Sequence, residues 1–163
     1  MFYLKKQELK TDPLQMLSKN WQKTMQQQEL TAKDPRLKTF YQAGAVAANT
    51  TLQDLSFVAL DFETTGLNPA SNGIVSIGLL PMTYQQLYSS QARQWLLKPR
   101  FALSDESVTL HRITHSDIAG APDLTAVLPE LLQLMAGKII VLHYRGIERP
   151  FLNAALKARL GEG

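Results

Sequence analysis

The most informative stretch of the sequence is Phe57-Val58-Ala59-Leu60-Asp61-Phe62-Glu63-Thr64-Thr65-Gly66-Leu67. It is an apolar run that ends in two carboxylates two residues apart and then breaks at Thr-Thr-Gly. Because successive side chains of a strand point to opposite faces, Asp61 and Glu63 are predicted to share one face, with Cα atoms roughly 6.5–7 Å apart. Two carboxylates at that spacing can hold a pair of divalent ions about 3.5–4 Å apart. Oxygen ligands of this kind suit magnesium or manganese and not zinc.

Asp61 and Glu63 could also be hydrated carboxylates on a strand that simply emerges into solvent. The metal interpretation is favoured because an unpaired carboxylate at the end of a buried strand is costly to bury. Two carboxylates on one face also repel each other unless a cation lies between them. The segment that follows has its own alternative, which is a turn that needs Gly66 for local reasons only.

The composition is typical of a globular chain without cysteine chemistry. Of the 163 residues, 45% are hydrophobic and 19% are charged, which is enough for one ordinary domain with a sizeable core. The lack of cysteine excludes a disulfide framework, thiolate metal ligands and a cysteine nucleophile, and it is typical of a reducing compartment. The sequence has no apolar run of about 18 residues and no secretory signal at its start. We therefore expect no membrane partner and a cytoplasmic location.

The net charge of +3 is concentrated in the first fifty residues. Residues 1–50 carry eight Lys or Arg against four Asp or Glu, whereas residues 51–163 carry nine against ten. A basic arm of this kind could help to hold a polyanion such as a nucleic acid. Solvated lysines on an exposed helix surface explain the pattern equally well.

Two helices are predicted in residues 1–50, which form a helical extension before the main domain. Their start signals are Thr11 or Asp12 before Pro13, and Asp34 before Pro35. Their apolar stripes are Leu14, Leu17, Trp21 and Met25 in the first helix, and Leu37, Phe40 and Tyr41 in the second. We expect these stripes to pack on the main domain, although they could also be a docking surface for a partner.

The main domain, residues 52–163, is predicted to be α/β with a mixed sheet and helices on its faces. The predicted strands cover 55–61, 74–80, 93–97 and 138–142. Helix signals are Ser104, the capping-box pair Thr114 and Asp117, the apolar stripe from Leu124 to Met135, and the segment 147–160. The first three strands suit an antiparallel meander, and the fourth should join through a right-handed parallel crossover. Pro129, inside the long stripe, should kink that helix or shift its start.

The sequence Asp61-Phe62-Glu63-Thr64-Thr65-Gly66-Leu67 resembles the first motif of the DEDD-type 3′–5′ exonucleases. These are ribonuclease H-like nucleases that include the epsilon proofreading subunit of bacterial DNA polymerase III, and the resemblance covers about residues 55–160. It implies that Asp61 bridges two Mg²⁺ or Mn²⁺ ions and that Glu63 binds one of them. The 3′-terminal nucleotide is then expected to lie on Thr64, Thr65 and Gly66, with Leu67 wedged against its base.

The second motif of that family resembles the stretch from 143 to 152. In the family it runs His-Asn, then Asp four residues after the Asn, then Phe-Leu. The matching residues here are His143, Glu148, Phe151 and Leu152. Three positions depart from the pattern, because Tyr144 stands where Asn is usual, Ile147 stands where Phe is usual and Glu148 stands where the metal-associated Asp is expected.

The resemblance implies that Glu148 is the third catalytic metal ligand and that His143 and Arg145 bind substrate. Glu is longer than Asp by one methylene, so its oxygen would sit differently in a magnesium shell, which tolerates little distortion. In the alternative interpretation, Glu148 only favours the positive start of the last helix. Arg145 and Arg149 could contact phosphate, or they could pair with Glu148 or stay solvated.

Other features of the sequence have no catalytic assignment. His111-Arg112-Ile113-Thr114 resembles a structural His-Gly-Ile-Thr segment that is common in the same family. No Ser lies in a Gly-x-Ser-x-Gly setting, and the sequence contains neither a phosphate-cradling Gly-rich loop nor a dinucleotide fingerprint.

The third motif of the family, a histidine followed five residues later by an aspartate, has no counterpart in this sequence. No histidine follows His143, so the expected general base and one metal ligand are missing, together with the fifth strand and the helix that carries the motif. The chain could be a piece of a longer exonuclease, a natural short form that no longer cuts, or a chain completed by oligomerisation or by a separate chain. The first explanation is favoured, with a fold that is incomplete at its C-terminal end.

A sheet without its last strand and covering helix would expose an open edge and an apolar patch. The sequence therefore predicts low solubility or a self-associated state. A strictly monomeric, cooperatively folded 163-residue species in sedimentation equilibrium would contradict this prediction.

The function expected from these features is 3′–5′ exonucleolytic hydrolysis of terminal phosphodiesters by a two-metal mechanism, carried by Asp61, Glu63 and Glu148. We expect weak or absent activity from this chain because it lacks the third motif. The expected partner is the 3′ end of a nucleic acid single strand, with DNA favoured over RNA, and a DNA polymerase could accompany it. The alternatives are a non-catalytic module that binds nucleic acid or docks on a polymerase, and an oligoribonuclease-like RNA trimmer.

Overall fold

The computed structural model describes residues 20–103 and 105–163. Its helices are α1 (Trp21–Thr31), α2 (Pro35–Gln42), α3 (Asp105–His111), α4 (His115–Ile118), α5 (Leu124–Met135) and α6 (Arg145–Leu160). Its strands are β1 (Ser56–Thr64), β2 (Ile74–Thr83), β3 (Arg93–Leu96) and β4 (Ile139–Leu142), with a short 3₁₀ turn at Ser89–Gln91. The cap predicted at Ser104 lies outside the described residues.

Within the described ranges, the strands form one mixed four-stranded sheet in the order β3-β2-β1-β4. β1 pairs with β2, and β2 with β3, in antiparallel register, whereas β4 pairs with β1 in parallel. The short segments between the first three strands allow an antiparallel meander, and the helices between β3 and β4 provide the crossover that a parallel neighbour needs. The predicted α/β architecture is confirmed.

β1 and β2 run several residues beyond their predicted ends, into polar sequence. Their pairing continues from Ser56 opposite Thr83 to Glu63 opposite Ser76, and the register shifts between Glu63 and Thr64. A ladder of backbone hydrogen bonds does not require apolar side chains, so the apolar pattern underestimates the length of both strands. The register shift has the form of a β-bulge, which bends the strand where the two carboxylates are presented.

The hydrophobic core lies between one face of the sheet and the helices α5 and α6. The sheet contributes Val58, Leu60 and Phe62 of β1, and Ile77 and Leu79 of β2. The helices contribute Leu124, Val127, Leu131 and Met135 of α5 and Phe151 of α6. Burial of each such side chain stabilises the fold by roughly 1.5–3 kcal/mol, so the alternation of β1 is strongly determined on this face.

Pro129 lies inside α5 without moving the start of the helix, which remains at Leu124 after the N-cap Asp123. Because proline has no backbone N–H, the carbonyl of Thr125, four residues earlier, has no helical donor. The guanidinium Nη1 of Arg36 donates to that oxygen at 3.3 Å. A side chain of the N-terminal extension therefore satisfies the gap in the α5 hydrogen-bond ladder.

The helical extension is joined to the main domain through α2. Leu37 of α2 is buried in a cluster with Leu128 and Leu132 of α5 and Leu156 of α6. Asp34 caps α2, and Pro35 is its first residue, as predicted. The predicted packing of the second stripe is thus confirmed, while the division of the chain at residues 50 and 52 stays a prediction.

The first predicted helix differs from the observed one. α1 begins at Trp21, because Asn20 has an extended backbone and its side chain accepts the N–H of Lys23. One helix running from Pro13 through Met25 is therefore wrong. α1 contains no buried residue, so its Trp21 and Met25 do not form the predicted core contact. The remaining residues of that prediction lie outside the described part of the chain: Thr11, Asp12, Pro13, Leu14 and Leu17.

Two arginine–carboxylate pairs lie near these contacts, one within the start of α2 and one between α5 and α6. Arg36 lies 2.6 Å from Asp34, and its hydrogen bonds lower the pKa of Asp34 to about 2. Arg159 of α6 lies 2.7 Å from Asp123 and holds the pKa of that carboxyl well below its usual range. Asp123 also accepts the N–H of Thr125, so one carboxylate both caps α5 and binds α6.

Further hydrogen bonds connect the end of the described chain to the start of α2. Glu162 accepts the backbone N–H groups of Lys33, at 2.9 Å, and Asp34, at 2.5 Å. Burial, with the nearby Glu162 charge as the second cause, raises the pKa of Tyr41 in the same region. The extension is thus connected to both α5 and the segment after α6.

β4 is an edge strand of the sheet, and it has apolar side chains on its open face. Ile139 is 38% exposed and Val141 is 40% exposed. An apolar edge strand is a surface at which a second chain can add. Self-association itself stays a prediction.

No helix in the described part of the chain is both long enough and apolar enough to cross a bilayer.

Replacing Pro129 tests the role of Arg36 in the α5 ladder. We expect Pro129→Ala to raise the free energy of unfolding by about 1–2 kcal/mol, since the new N–H bonds Thr125 and the ring clash is relieved. Arg36→Met should then cost about 1 kcal/mol less in the Pro129→Ala background than in the parent chain. Urea denaturation of the four proteins measures this coupling, and an equal cost in both backgrounds would contradict it.

Candidate functional site

The two carboxylates of β1 lie on the face of the strand opposite the core. Asp61 and Glu63 are both exposed, whereas Leu60 before them and Phe62 between them are buried. Gly78 of β2 lies directly opposite Asp61 in the antiparallel register. Directly opposed residues share one face of a sheet, and glycine has no side chain, so the space beside the Asp61 carboxylate is open.

Asp61 lines an open groove of about 700 Å³ on this face of the sheet. The groove runs across three strands and the end of β4, with Asp61, Gly78, Gln94 and His143 among its lining residues. His143 follows β4 directly, and Leu60 pairs with Leu142 in the parallel register. The structure therefore brings together Asp61 and His143, which the sequence separates by more than eighty positions.

Glu148 is buried in the first part of α6, with only 4% of its surface exposed. One carboxylate oxygen, Oε1, accepts the backbone N–H of Tyr144 at 3.3 Å. The other, Oε2, is buried without a hydrogen-bond partner. A buried carboxylate oxygen without a donor carries a large desolvation cost, which a cation or a further donor would relieve.

The donor chemistry of these residues fits a hard divalent cation, but their arrangement provides only part of a site. Asp61, Glu63 and Glu148 are all oxygen donors, and Glu148 has one unsatisfied oxygen. Across residues 20–103 and 105–163, no three Asp, Glu, His or Cys side chains come close enough to hold one ion. The structure thus places Asp61 and Glu63 on one face and does not bring Glu148 into one group with them.

The turn after β1 is held by bonds within the turn itself. The N–H of Thr65 donates to the carbonyl of Gly73 at 2.9 Å, and the N–H of Gly73 donates to the Thr65 hydroxyl at 3.0 Å. The Thr64 hydroxyl donates to the carbonyl of Gly66 at 2.7 Å. Leu67, in contrast, is exposed. This network accounts for the two threonines structurally and leaves a rigid turn with an apolar side chain at its tip.

Gly66 is required in this turn because of a close approach. A Cβ atom added at Gly66 would lie 2.8 Å from the side-chain amide of Asn72. Asn72 in turn accepts the N–H of Asn68 and so closes the loop between β1 and β2. The structural interpretation of Gly66 is therefore sufficient, whether or not a nucleotide also binds there.

The second stretch of candidate residues surrounds the start of α6. Tyr144 is the N-cap residue of this helix, but its side chain makes no cap hydrogen bond. Its ring lies over Gly146, where an added Cβ would be 2.7 Å from the ring carbon Cζ. Arg145 is exposed and begins the helix. The Tyr144–Gly146 contact was not predicted, although Tyr in place of Asn was visible in the sequence.

The segment after α3 explains a departure from the family pattern. Arg112 has a φ angle of 60°, in the left-handed region that favours glycine, and its N–H donates to Val108 at the end of the helix. His111 Nδ1 accepts the N–H of Ile113, and its Nε2 is buried without a partner. The backbone at this helix end thus favours glycine, which is the usual residue at this position in the similar His-Gly-Ile-Thr segment, although Arg112 occupies it here.

The groove also contains residues for which the sequence offered no signal. Gln94 of β3 and Leu80 of β2 line it together with the predicted carboxylate Asp61. β3 has only four residues and no chemical motif of its own. Its contribution depends on sheet order, which local sequence does not encode.

Comparison with known families gives a match that covers most of the main domain. The family profile RNase_T, described as an exonuclease, matches residues 58–160. The matched region begins in β1 and ends with α6, so it includes both carboxylates of β1 and the stretch around Glu148.

Among curated proteins, a PolC-type DNA polymerase III of Thermotoga maritima is 33% identical over 113 residues. That alignment covers 69% of this chain and 8% of the polymerase. The chain is therefore similar to one small part of a much longer protein.

Two solved nuclease structures have the same fold. Exonuclease X in complex with 5′ overhanging duplex DNA matches with a TM-score of 0.50 and 24% identity, over 58% of this chain and 52% of that one. The nuclease domain of 3′hExo, a DEDDh family member bound to rAMP, matches with a TM-score of 0.55 and 20% identity. That match covers 68% of this chain and 62% of the other. At these identities the likeness shows a shared fold.

Restoring glycine at position 112 should stabilise the protein. Arg in the left-handed region costs about 1–2 kcal/mol, and the greater freedom of glycine in the unfolded chain offsets part of the gain. We therefore expect Arg112→Gly to raise the free energy of unfolding by about 0.5–1 kcal/mol in urea denaturation. Arg112→Ala is the matched control, because it removes the same side chain but keeps the Cβ. An equal gain from the alanine variant would assign the effect to the side chain and not to φ.

Proposed function

This chain belongs to the DEDD-type exonuclease family, and we propose that it acts on the 3′ end of a nucleic acid strand by metal-dependent hydrolysis of the terminal phosphodiester. The observation that carries the proposal is the pair Asp61 and Glu63, exposed on one face of β1 beside an open groove that also contains His143. Two carboxylates on one face of a strand repel each other, and a cation bound between them would relieve that repulsion.

The proposed ligands for two Mg²⁺ or Mn²⁺ ions are Asp61, Glu63 and Glu148. When bound, such ions supply an activated water and neutralise charge on the phosphodiester. The unpartnered Oε2 of Glu148 supports its place in this set, since a buried carboxylate oxygen otherwise lacks any compensation. The hydrogen bond from the Tyr144 N–H leaves that oxygen available, because it engages Oε1 only.

The turn after β1 is the proposed binding site of the terminal nucleotide. Its internal hydrogen bonds keep Thr64, Thr65 and Gly66 in a fixed conformation before any substrate binds, which lowers the cost of ordering on binding. The exposed Leu67 at its tip provides an apolar surface for a base. His143 in the groove and Arg145 at the start of α6 are the proposed contacts to the phosphate.

The proposed substrate is a single strand of DNA, with a DNA polymerase as the proposed partner. The support comes from the polymerase relative in Thermotoga maritima and from the DNA-bound Exonuclease X structure. The 3′hExo domain is bound to rAMP, so a ribonucleotide end is the obvious competitor. Parallel assays with DNA and RNA strands of one sequence separate the two.

A second candidate is a non-catalytic module that binds nucleic acid or docks on a polymerase. The observation that favours it is the lack, in the part of the chain described by the structure, of any three acidic or histidine side chains near one point. Such a module would bind a single strand without shortening it. Strand binding that persists with no change in length after addition of manganese would support this candidate over the enzyme.

Asp61→Asn tests the metal-dependent nuclease directly. We expect manganese to support only slow shortening of a 5′-labelled single strand from its 3′ end, because the chain lacks the third motif. The variant should lower that rate on the order of 100-fold or more, because the amide removes a charged ligand. Manganese binding, followed by electron paramagnetic resonance, should weaken in parallel. Asp54→Asn is the matched control, since Asp54 is an exposed carboxylate in a turn outside the groove. Equal rates and equal manganese binding in the two variants would refute the proposal.

A further inference from the structure

We propose that Tyr144 is a specificity-determining residue that stacks on a base of the bound strand, an inference that rests on the nuclease function proposed above. Its ligand is a nucleobase at or near the 3′ end of a single strand. Single strands are recognised through unstacked bases on aromatic side chains, because every base has a π-face.

The position of Tyr144 connects it to both parts of the candidate site. It follows His143, which lines the groove together with Asp61. Its backbone N–H donates to Glu148 Oε1 at 3.3 Å. Tyr144 thus lies between a residue of the groove, His143, and the buried carboxylate of Glu148.

The stability of α6 does not explain a tyrosine at this position. Tyr144 is the N-cap residue, where Asn, Asp, Ser or Thr would accept a backbone N–H and stabilise the helix. Its side chain makes no such bond, and the usual residue in the similar family motif is Asn. The chain therefore carries a residue that weakens the cap and presents an aromatic ring instead.

One side of the ring lies against Gly146, and part of the ring surface is exposed. It rests on Gly146, where an ideal Cβ would lie 2.7 Å from Cζ and 2.9 Å from both Cε1 and the hydroxyl oxygen. Any residue larger than glycine at position 146 would displace the ring. With 46% of its surface exposed, Tyr144 keeps accessible ring area for a ligand. A base stacked on the ring would cover this exposed area.

The experiment compares two otherwise identical single strands, one with a normal 3′-terminal nucleotide and one with an abasic 3′ terminus. Binding is measured by fluorescence anisotropy with calcium in place of magnesium, so that affinity is followed separately from cleavage. We expect Tyr144→Ala to weaken binding of the normal strand about tenfold and to leave binding of the abasic strand unchanged. Tyr144→Phe, which keeps the ring, should stay within about twofold of the parent chain.

Two further variants complete the test. Gly146→Ala leaves Tyr144 in the sequence but moves its ring, and it should reproduce the loss seen with Tyr144→Ala. Tyr84→Ala is the matched control, because Tyr84 is an aromatic residue 62% exposed that follows β2, whose last residue pairs with Ser56 at the opposite end of β1 from the two carboxylates. It should change neither affinity. Circular dichroism melting curves confirm that each variant is folded before binding is compared.

Three results would overturn the inference. Equal loss on both strands would assign Tyr144 to the sugar-phosphate backbone or to the fold. Tighter binding by Tyr144→Ala would make the ring an obstruction. If Tyr144→Ala distinguished the normal strand from the abasic strand as well as the parent chain does, Tyr144 would have no role in base binding. The proposed nuclease function would remain intact. Failure of the parent chain to bind any single strand would instead refute the proposed function, and this inference with it.

Discussion

The burial of one face of β1 determines how the main domain is arranged around it. Val58, Leu60 and Phe62 pack against α5 and α6, and the period of two in a strand then forces the residues between and after them to the opposite face. Asp61 and Glu63 are exposed side by side because a slip of one residue would bury both carboxylates and expose three apolar side chains. The position of the candidate site is thus a consequence of core packing.

Polar contacts then determine how the helices are joined around that core. The Thr125 carbonyl that Pro129 leaves without a donor is satisfied by Arg36, and Asp123 both caps α5 and binds Arg159. Glu162 accepts two backbone N–H groups at the start of α2. The N-terminal helix α2 is therefore part of the main body, connected by contacts between residues far apart in sequence.

Some groups of the candidate site are held by hydrogen bonds, whereas one buried carboxylate oxygen has no hydrogen-bond partner. The turn from Thr64 to Gly66 is held by its own hydrogen bonds, whereas Glu148 keeps one buried oxygen without a partner. Such a contrast is typical of functional sites, where scaffold elements are satisfied and the group that meets a ligand is not. Tyr144 follows the same logic, because it gives up a helix cap and exposes an aromatic ring at the site.

Elements with local signals could be predicted from the order of residues alone. These include the alternation of β1, the capping box of α4, the apolar stripe of α5, the Asp34–Pro35 start of α2 and the similarity of both motifs to one nuclease family. Long-range packing, in contrast, places Asp61 and His143 in one groove, brings Arg36 to the carbonyl that Pro129 leaves without a donor, and buries Glu148. This difference arises because periodicity and capping involve neighbours along the chain. Strand order and long-range hydrogen bonds depend instead on how separate elements pack around one core.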